Sequence, residues 1–110
     1  MRCWKRHALA IVVLAAALTA PATQADPLAP GRLLFKQSAV PACALCHTLK
    51  EAEAEGAIGP SLDDLKPDAA RVAKALRNGI GQMPAYRDRL TEQQIETLSR
   101  YVARATGAQR

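Results

Sequence analysis

The sequence predicts an all-α domain of about four short helices, on three observations. Apolar residues recur at helical spacing over 69–80 and again over 95–105, helix-starting residues stand just ahead of both stretches, and nowhere does the chain alternate apolar and polar residues convincingly over strand length. With 110 residues and no internal repeat, low-complexity tract or second domain, one domain is the ceiling.

In chain order, Met1 to His7 carries Arg2, Lys5 and Arg6 and no acid, and Ala8 to Ala20 is an almost unbroken apolar run. A run of about 13 residues fits the core of a secretory signal peptide and falls short of the roughly 20 that span a bilayer. A buried core helix, the other use of such a run, does not suit three cations and no downstream cap. Pro21-Ala22-Thr23-Gln24-Ala25 closes the run with small residues. This places a signal peptide over residues 1–25, cleaved after Ala25 with Ala22 as the second candidate. It predicts export to the periplasm and no membrane anchor in the mature chain. Cys3 lies ahead of the apolar run, where a lipoprotein cysteine would lie behind it, and leaves with the leader.

Asp26-Pro27-Leu28-Ala29-Pro30 reads as a linker over residues 26–30, held extended by its prolines, ahead of a domain over residues 31–110. Gly31 to Ser38 reads as a first helix, with Leu34 and Phe35 on one face, broken by Val40-Pro41. Thr48 to Gly56, with Glu51, Glu53 and Glu55, reads as a solvated loop. Pro67 to Asn78 is the clearest amphipathic helix: Ala69, Val72, Ala73, Leu76 and Ile80 share a face, Arg71, Lys74 and Arg77 form the solvated opposite side, and Gly79 supplies the end. Thr91 opens the last helix, its hydroxyl able to cap and Gln94 able to complete a capping box, with Glu92 favourable in the first turn. Ile95, Leu98, Tyr101, Val102 and Ala105 form its apolar stripe, and Gly107 ends it.

The formal net charge of +5 belongs largely to the leader, because removing its three cations leaves +2. A nearly neutral chain gives no reason to expect nucleic-acid binding. Composition also predicts a shortage of core volume. Beyond the leader stand Phe35, Tyr86 and Tyr101 and no Trp, with alanine in place of larger side chains. About 85 residues is a size at which a metal, a disulfide or a cofactor often supplies the missing stability.

Chemistry concentrates in Ala42-Cys43-Ala44-Leu45-Cys46-His47-Thr48. A Cys-x-x-Cys pair can close a reversible disulfide, supply half a zinc site, or anchor a c-type haem, the last when His follows directly. Structural zinc needs four protein ligands, and the mature chain offers Cys43, Cys46 and His47 with no second pair. A thioredoxin-like dithiol needs a strand-to-helix setting that this chain does not show. Covalent haem needs two thiols for its vinyl groups and one imidazole for its iron, and this spacing supplies all three. A five-residue motif recurs by chance, and export past a membrane, where bacteria attach haem to such motifs, sharpens it. The sixth iron ligand follows by elimination. His7 and Met1 leave with the leader, so Met83, in the Gly- and Pro-rich stretch Gly79 to Tyr86, is the one thioether left. Two strong axial ligands leave no open position for substrate, which predicts an electron carrier and not an enzyme. A haem protein with a labile Met83, acting in ligand binding or peroxidatic chemistry, and a haem-free disulfide oxidoreductase are the alternatives.

On these residues the chain resembles the small class I c-type cytochromes over essentially all of residues 31–106. The similar features are Gly31 with Phe35, the Cys43-Ala44-Leu45-Cys46-His47 motif, Gly59-Pro60-Ser61-Leu62, Met83-Pro84 and Tyr101-Val102. The resemblance implies a class I cytochrome c-like fold, short helices wrapped around one covalently bound haem c and its iron. It implies that the first and last helices cross at Gly31, with Phe35 near Tyr101. It also implies that the Pro60 carbonyl accepts the His47 ring N–H, fixing its tautomer. A narrower likeness, to the cytochrome subunit of bacterial sulfite dehydrogenases, rests on Val40-Pro41-Ala42-Cys43, on Thr48-Leu49-Lys50 through Gly59-Pro60, and on Leu65 to Val72-Ala73. It implies a periplasmic dehydrogenase as electron donor and an oxidase or another cytochrome as acceptor. Arg71, Lys74, Arg77 and Arg87 could form a local cationic rim for them.

Overall fold

The computed structural model describes residues 15–109. The charged start of the expected leader, the first part of its apolar run and Cys3 lie outside the described residues, and 15–25 are exposed and without regular structure.

Order begins at Asp26, whose Oδ1 accepts the Leu28 N–H at 2.9 Å. Helix α1 spans Ala29–Leu33 and continues as one wider π-helical turn, Leu34–Ser38, that buries Leu34 and Phe35. The linker expected over 26–30 is therefore shorter than its prolines implied. Pro30 falls in the first helical turn, where a missing N–H costs nothing and a preset φ helps.

A single 3₁₀ turn, Cys43–Leu45, leads to a hairpin in place of the expected loop: β1 Thr48–Leu49 and β2 Ala54–Glu55 pair antiparallel, Leu49 opposite Ala54. Strands of two residues are too short to show a period, which is why the sequence hid them. Leu49, Ala52 and Ala54 are buried, while the turn between the strands passes through Glu53 at φ 53°.

Nor is Glu51 solvated as expected. Its carboxylate, 20% exposed, accepts from the Arg32 guanidinium and from the Tyr101 hydroxyl, and Arg32 also reaches Asp26 Oδ2 at 2.8 Å. Three distant parts of the chain, α1, the hairpin and the last helix, are thereby tied together.

Helix α2, Leu62–Leu65, is one turn capped by Ser61, with Asp63 and Asp64 in its first turn and Leu62 buried. Helix α3, Ala69–Asn78, is capped by Asp68, whose side chain accepts the Arg71 N–H at 2.7 Å, so it starts two residues after Pro67. Helix α4, Glu92–Ala105, opens on the capping box of Thr91 and Gln94. The architecture is all-α apart from the hairpin. α1 and α3 both pack on α4, and Arg77 of α3 pairs with Glu92 at 2.7 Å. The α1–α4 crossing needs Gly31, since a Cβ there would lie 2.1 Å from Tyr101 Cβ. One turn on, the Phe35 and Tyr101 rings meet at a centroid distance of 6.0 Å, tilted by 60°. Among the described residues no helix is long and apolar enough to cross a membrane.

Candidate functional site

Between these elements lies a cavity of about 610 Å³, within the usual range for small-molecule sites. Its walls come from several parts of the fold: Phe35 from the π turn that continues α1, Leu62 and Leu65 from α2, Val72 and Leu76 from α3, Leu98 and Val102 from α4. The five residues singled out from the sequence, Cys43, Cys46, His47, Pro60 and Met83, all line it.

Local hydrogen bonding explains how they arrive there. The 3₁₀ turn folds back on Cys43, whose carbonyl accepts the N–H of Cys46 at 3.1 Å and of His47 at 2.9 Å. The Cys46 carbonyl accepts the Gly59 N–H at 2.7 Å, drawing the 56–60 segment across the turn. His47 Nδ1 then lies 2.8 Å from Pro60 O. A carbonyl oxygen only accepts, so this contact requires the proton on Nδ1 and leaves the Nε2 lone pair free to bind. The approach depends on Gly59: a Cβ there would sit 2.7 Å from His47 Cε1. Met83 is presented by a tight turn in which Ile80 and Met83 exchange both backbone hydrogen bonds, at 3.1 and 2.9 Å. Ile80, expected on the apolar stripe of α3, instead follows the helix and is 67% exposed at the cavity's edge.

The donor set tests the alternatives. Cys43 and Cys46 are both free, and burial pushes the Cys43 thiol up to about 11, the reverse of the lowered value that a thiol–disulfide nucleophile needs. Among the described residues no three His, Cys, Asp or Glu side chains are grouped to hold a metal ion. Two thiols, an imidazole with a free Nε2 and a thioether around one apolar cavity suit a large, flat, apolar cofactor with a metal at its centre.

Charge enters the cavity at one place. Arg71 is the one Lys, Arg, Asp or Glu among the described residues that lines it, at an exposed position in keeping with the solvated side of the helix on which the sequence spacing put it. Its sign favours an anionic substituent on whatever the cavity holds.

Residues 26–102 match the family described as cytochrome c oxidase, cbb3-type, subunit III. The chain is a c-type cytochrome of that family. Among solved structures it is similar to the c-type cytochrome SorU from Sinorhizobium meliloti, at 53% identity over 74% of this chain and 92% of that one, with a TM-score of 0.69. No curated protein matched. The fold is accordingly the class I cytochrome c-like one, and a cytochrome of this kind carries covalently bound haem c with its iron. It transfers electrons and is not an enzyme in itself.

Two residues of this cytochrome's site went unseen in the sequence. Tyr86 lines the cavity and donates its hydroxyl to Pro41 O at 2.7 Å, and Arg89 Nη1 reaches Val40 O at 2.7 Å. Burial raises the Tyr86 hydroxyl to about 12, which keeps it a donor. In a chain this poor in aromatics, a tyrosine three residues after Met83 was the available signal.

Proposed function

We propose that this cytochrome is a periplasmic monohaem electron carrier with His/Met axial ligation, serving a dehydrogenase and delivering toward a terminal oxidase or another cytochrome. Cys43 and Cys46 anchor the haem vinyl groups as thioethers, His47 binds the iron through Nε2 and Met83 through its sulfur. The observation that carries this reading is the single cavity lined by both thiols, the thioether and an imidazole whose Nδ1 is committed to Pro60. Bound haem supplies an iron that cycles between ferric and ferrous. The residues do the rest: the Pro60 carbonyl orients the His47 ring and raises its basicity, the neutral Met83 thioether favours the ferrous state relative to a second imidazole, and the apolar walls exclude water.

Export is supported by the signal-peptide pattern over 1–25 and by a family match that begins at Asp26. A sulfite dehydrogenase is the proposed donor, on the likeness of 40–43, 48–60 and 65–73 to the cytochrome subunits of such enzymes. Arg71, Lys74 and Arg87 form the proposed cationic rim, with Arg77 committed to Glu92. A carrier needs fast release as well as fast encounter, so the contact is small, below about 1,200 Å².

The deciding experiment is Met83→Ala in protein from a host that exports and attaches haem. The variant is expected to keep one haem by intact mass, with a chain starting near Asp26, to lose the ferric iron–thioether charge-transfer band, and to show a lower midpoint potential. A band that persists removes Met83 as ligand, and a wild type that is already high-spin favours the ligand-binding or peroxidatic alternative. Stopped-flow reduction by a sulfite dehydrogenase tests the donor: a rate no higher than an unrelated dehydrogenase gives, or one indifferent to salt, removes the specific donor or the cationic rim respectively.

A further inference from the structure

Met83 lies on an irregular stretch between α3 and α4, where it exchanges a pair of backbone hydrogen bonds with Ile80 but joins no longer ladder. Behind it the stretch is fastened to α3, where the Tyr86 N–H donates to Leu76 O at 2.6 Å. In front, two side chains cross to the segment that runs into Cys43. Tyr86 donates its hydroxyl to Pro41 O and Arg89 its guanidinium to Val40 O, each at 2.7 Å, bridging 45 and 49 residues of sequence. Tyr86 is 3% exposed, and Arg89 lies at the surface.

We propose that Tyr86 and Arg89 are positioning residues, a two-bond clamp that holds the Met83 segment against the Cys43 turn and so sets how readily the Met83 thioether yields to an external ligand. The inference rests on the reading of Met83 as sixth ligand. A methionine side chain has three rotatable bonds and packs adaptably, so its sulfur is only as well placed as its backbone. Freeing that backbone returns conformational entropy to every arrangement in which the sulfur is off the metal, and only the ligated arrangement benefits from the clamp. The Cys43 side cannot drift in compensation, because covalent attachment fixes it to the same ring.

Imidazole competes directly: an iron–sulfur bond breaks, an iron–nitrogen bond forms, and no electron changes hands. The test is imidazole titration of ferric holoprotein, read by loss of the iron–thioether band, in wild type, Tyr86→Phe, Arg89→Gln and Ile95→Val. Tyr86→Phe keeps the ring on the cavity wall and removes one hydroxyl, whose bond is of the size that changes an equilibrium about five- to tenfold. Imidazole affinity is expected to rise by that factor in Tyr86→Phe, by about two- to threefold in the exposed Arg89→Gln, and not at all in Ile95→Val. That last residue is fully buried and lies outside the cavity lining, so its variant reports general destabilisation. Affinities indistinguishable from wild type in both clamp variants, or a rise equalled by Ile95→Val, would overturn the clamp. If Tyr86→Phe fails to attach haem, Arg89→Gln decides by the same comparison. A wild type without the band overturns the ligation reading and the clamp with it; a normal wild type with unresponsive variants overturns the clamp alone.

Discussion

Glu51 is the residue on which the sequence and the fold diverge most. A glutamate that opens a run of three in a short polar stretch is ordinarily solvated, and no local pattern reveals that Arg32, 19 residues before it, and Tyr101, 50 after it, both point at its carboxylate. Burial works to raise the Glu51 carboxyl, and the hydrogen bonds from Arg32 and Tyr101 outweigh it, so the folded value lies below the ordinary 4.5. Its own burial, and then the same contact, raise the Tyr101 hydroxyl. A carboxyl depressed on folding contributes stability that is fully present above its unfolded value and is lost as pH falls through the folded one. Glu51→Gln keeps the shape and removes the charge, so it is expected to lower the denaturant midpoint at pH 7. That difference should hold down to about pH 5 and close progressively below it. Denaturant titrations of both proteins from pH 7 to pH 3 measure it, and a gap unchanged across that range would mean that the carboxylate's charge is not what Arg32 and Tyr101 recognise.

At the scale of elements, what could be read from the sequence was what is local. The α4 capping box is spelled out within four residues: Thr91 Oγ1 accepts the Gln94 N–H at 3.1 Å while Gln94 Oε1 accepts the Thr91 N–H at 2.9 Å. Thr91→Ala is expected to cost about 1 kcal/mol in denaturant unfolding, with Thr91→Ser close to neutral. Equal stability of Thr91→Ala and wild type would show that the box is redundant with the packing of α4. The α3 stripe and the Cys43-to-His47 motif were legible for the same reason, a short spacing with a fixed geometric meaning. Elements of one turn or two paired residues were not: α2 and the hairpin are too short for periodicity to register, and the helix read over Gly31 to Ser38 gave no sign of its wider π turn. Met83 was singled out by counting the thioethers left, with its Gly- and Pro-rich setting and the flanking Pro84 in support. Tyr86, Arg89 and the cavity-facing Arg71 could not be found that way, since their partners and surroundings come from tertiary packing.

For the molecule as a whole, the cavity decides what the core is. Phe35, Leu76, Leu98 and Val102 are its central buried residues, and each of them also lines the 610 Å³ space, so three of the helices pack partly on each other and partly on what fills it. The chain has no spare bulk to close that space, because Tyr86 is already on its wall and Tyr101 is committed to Gly31, Phe35 and Glu51. Left unfilled, that space would leave these apolar side chains against water, a loss of burial and packing for which a domain with about 5–15 kcal/mol of total stability has little margin. Haem attachment and folding are therefore expected to be one event for this cytochrome. The double variant Cys43→Ser, Cys46→Ser, made where haem cannot attach, should retain part of its helical circular dichroism, bind a hydrophobic dye, and melt without a cooperative transition, whereas the holoprotein melts sharply. A cooperative melt in the haem-free variant close to that of the holoprotein would mean that the helices collapse on one another well enough without it, and that the cavity forms only when the cofactor wedges them apart.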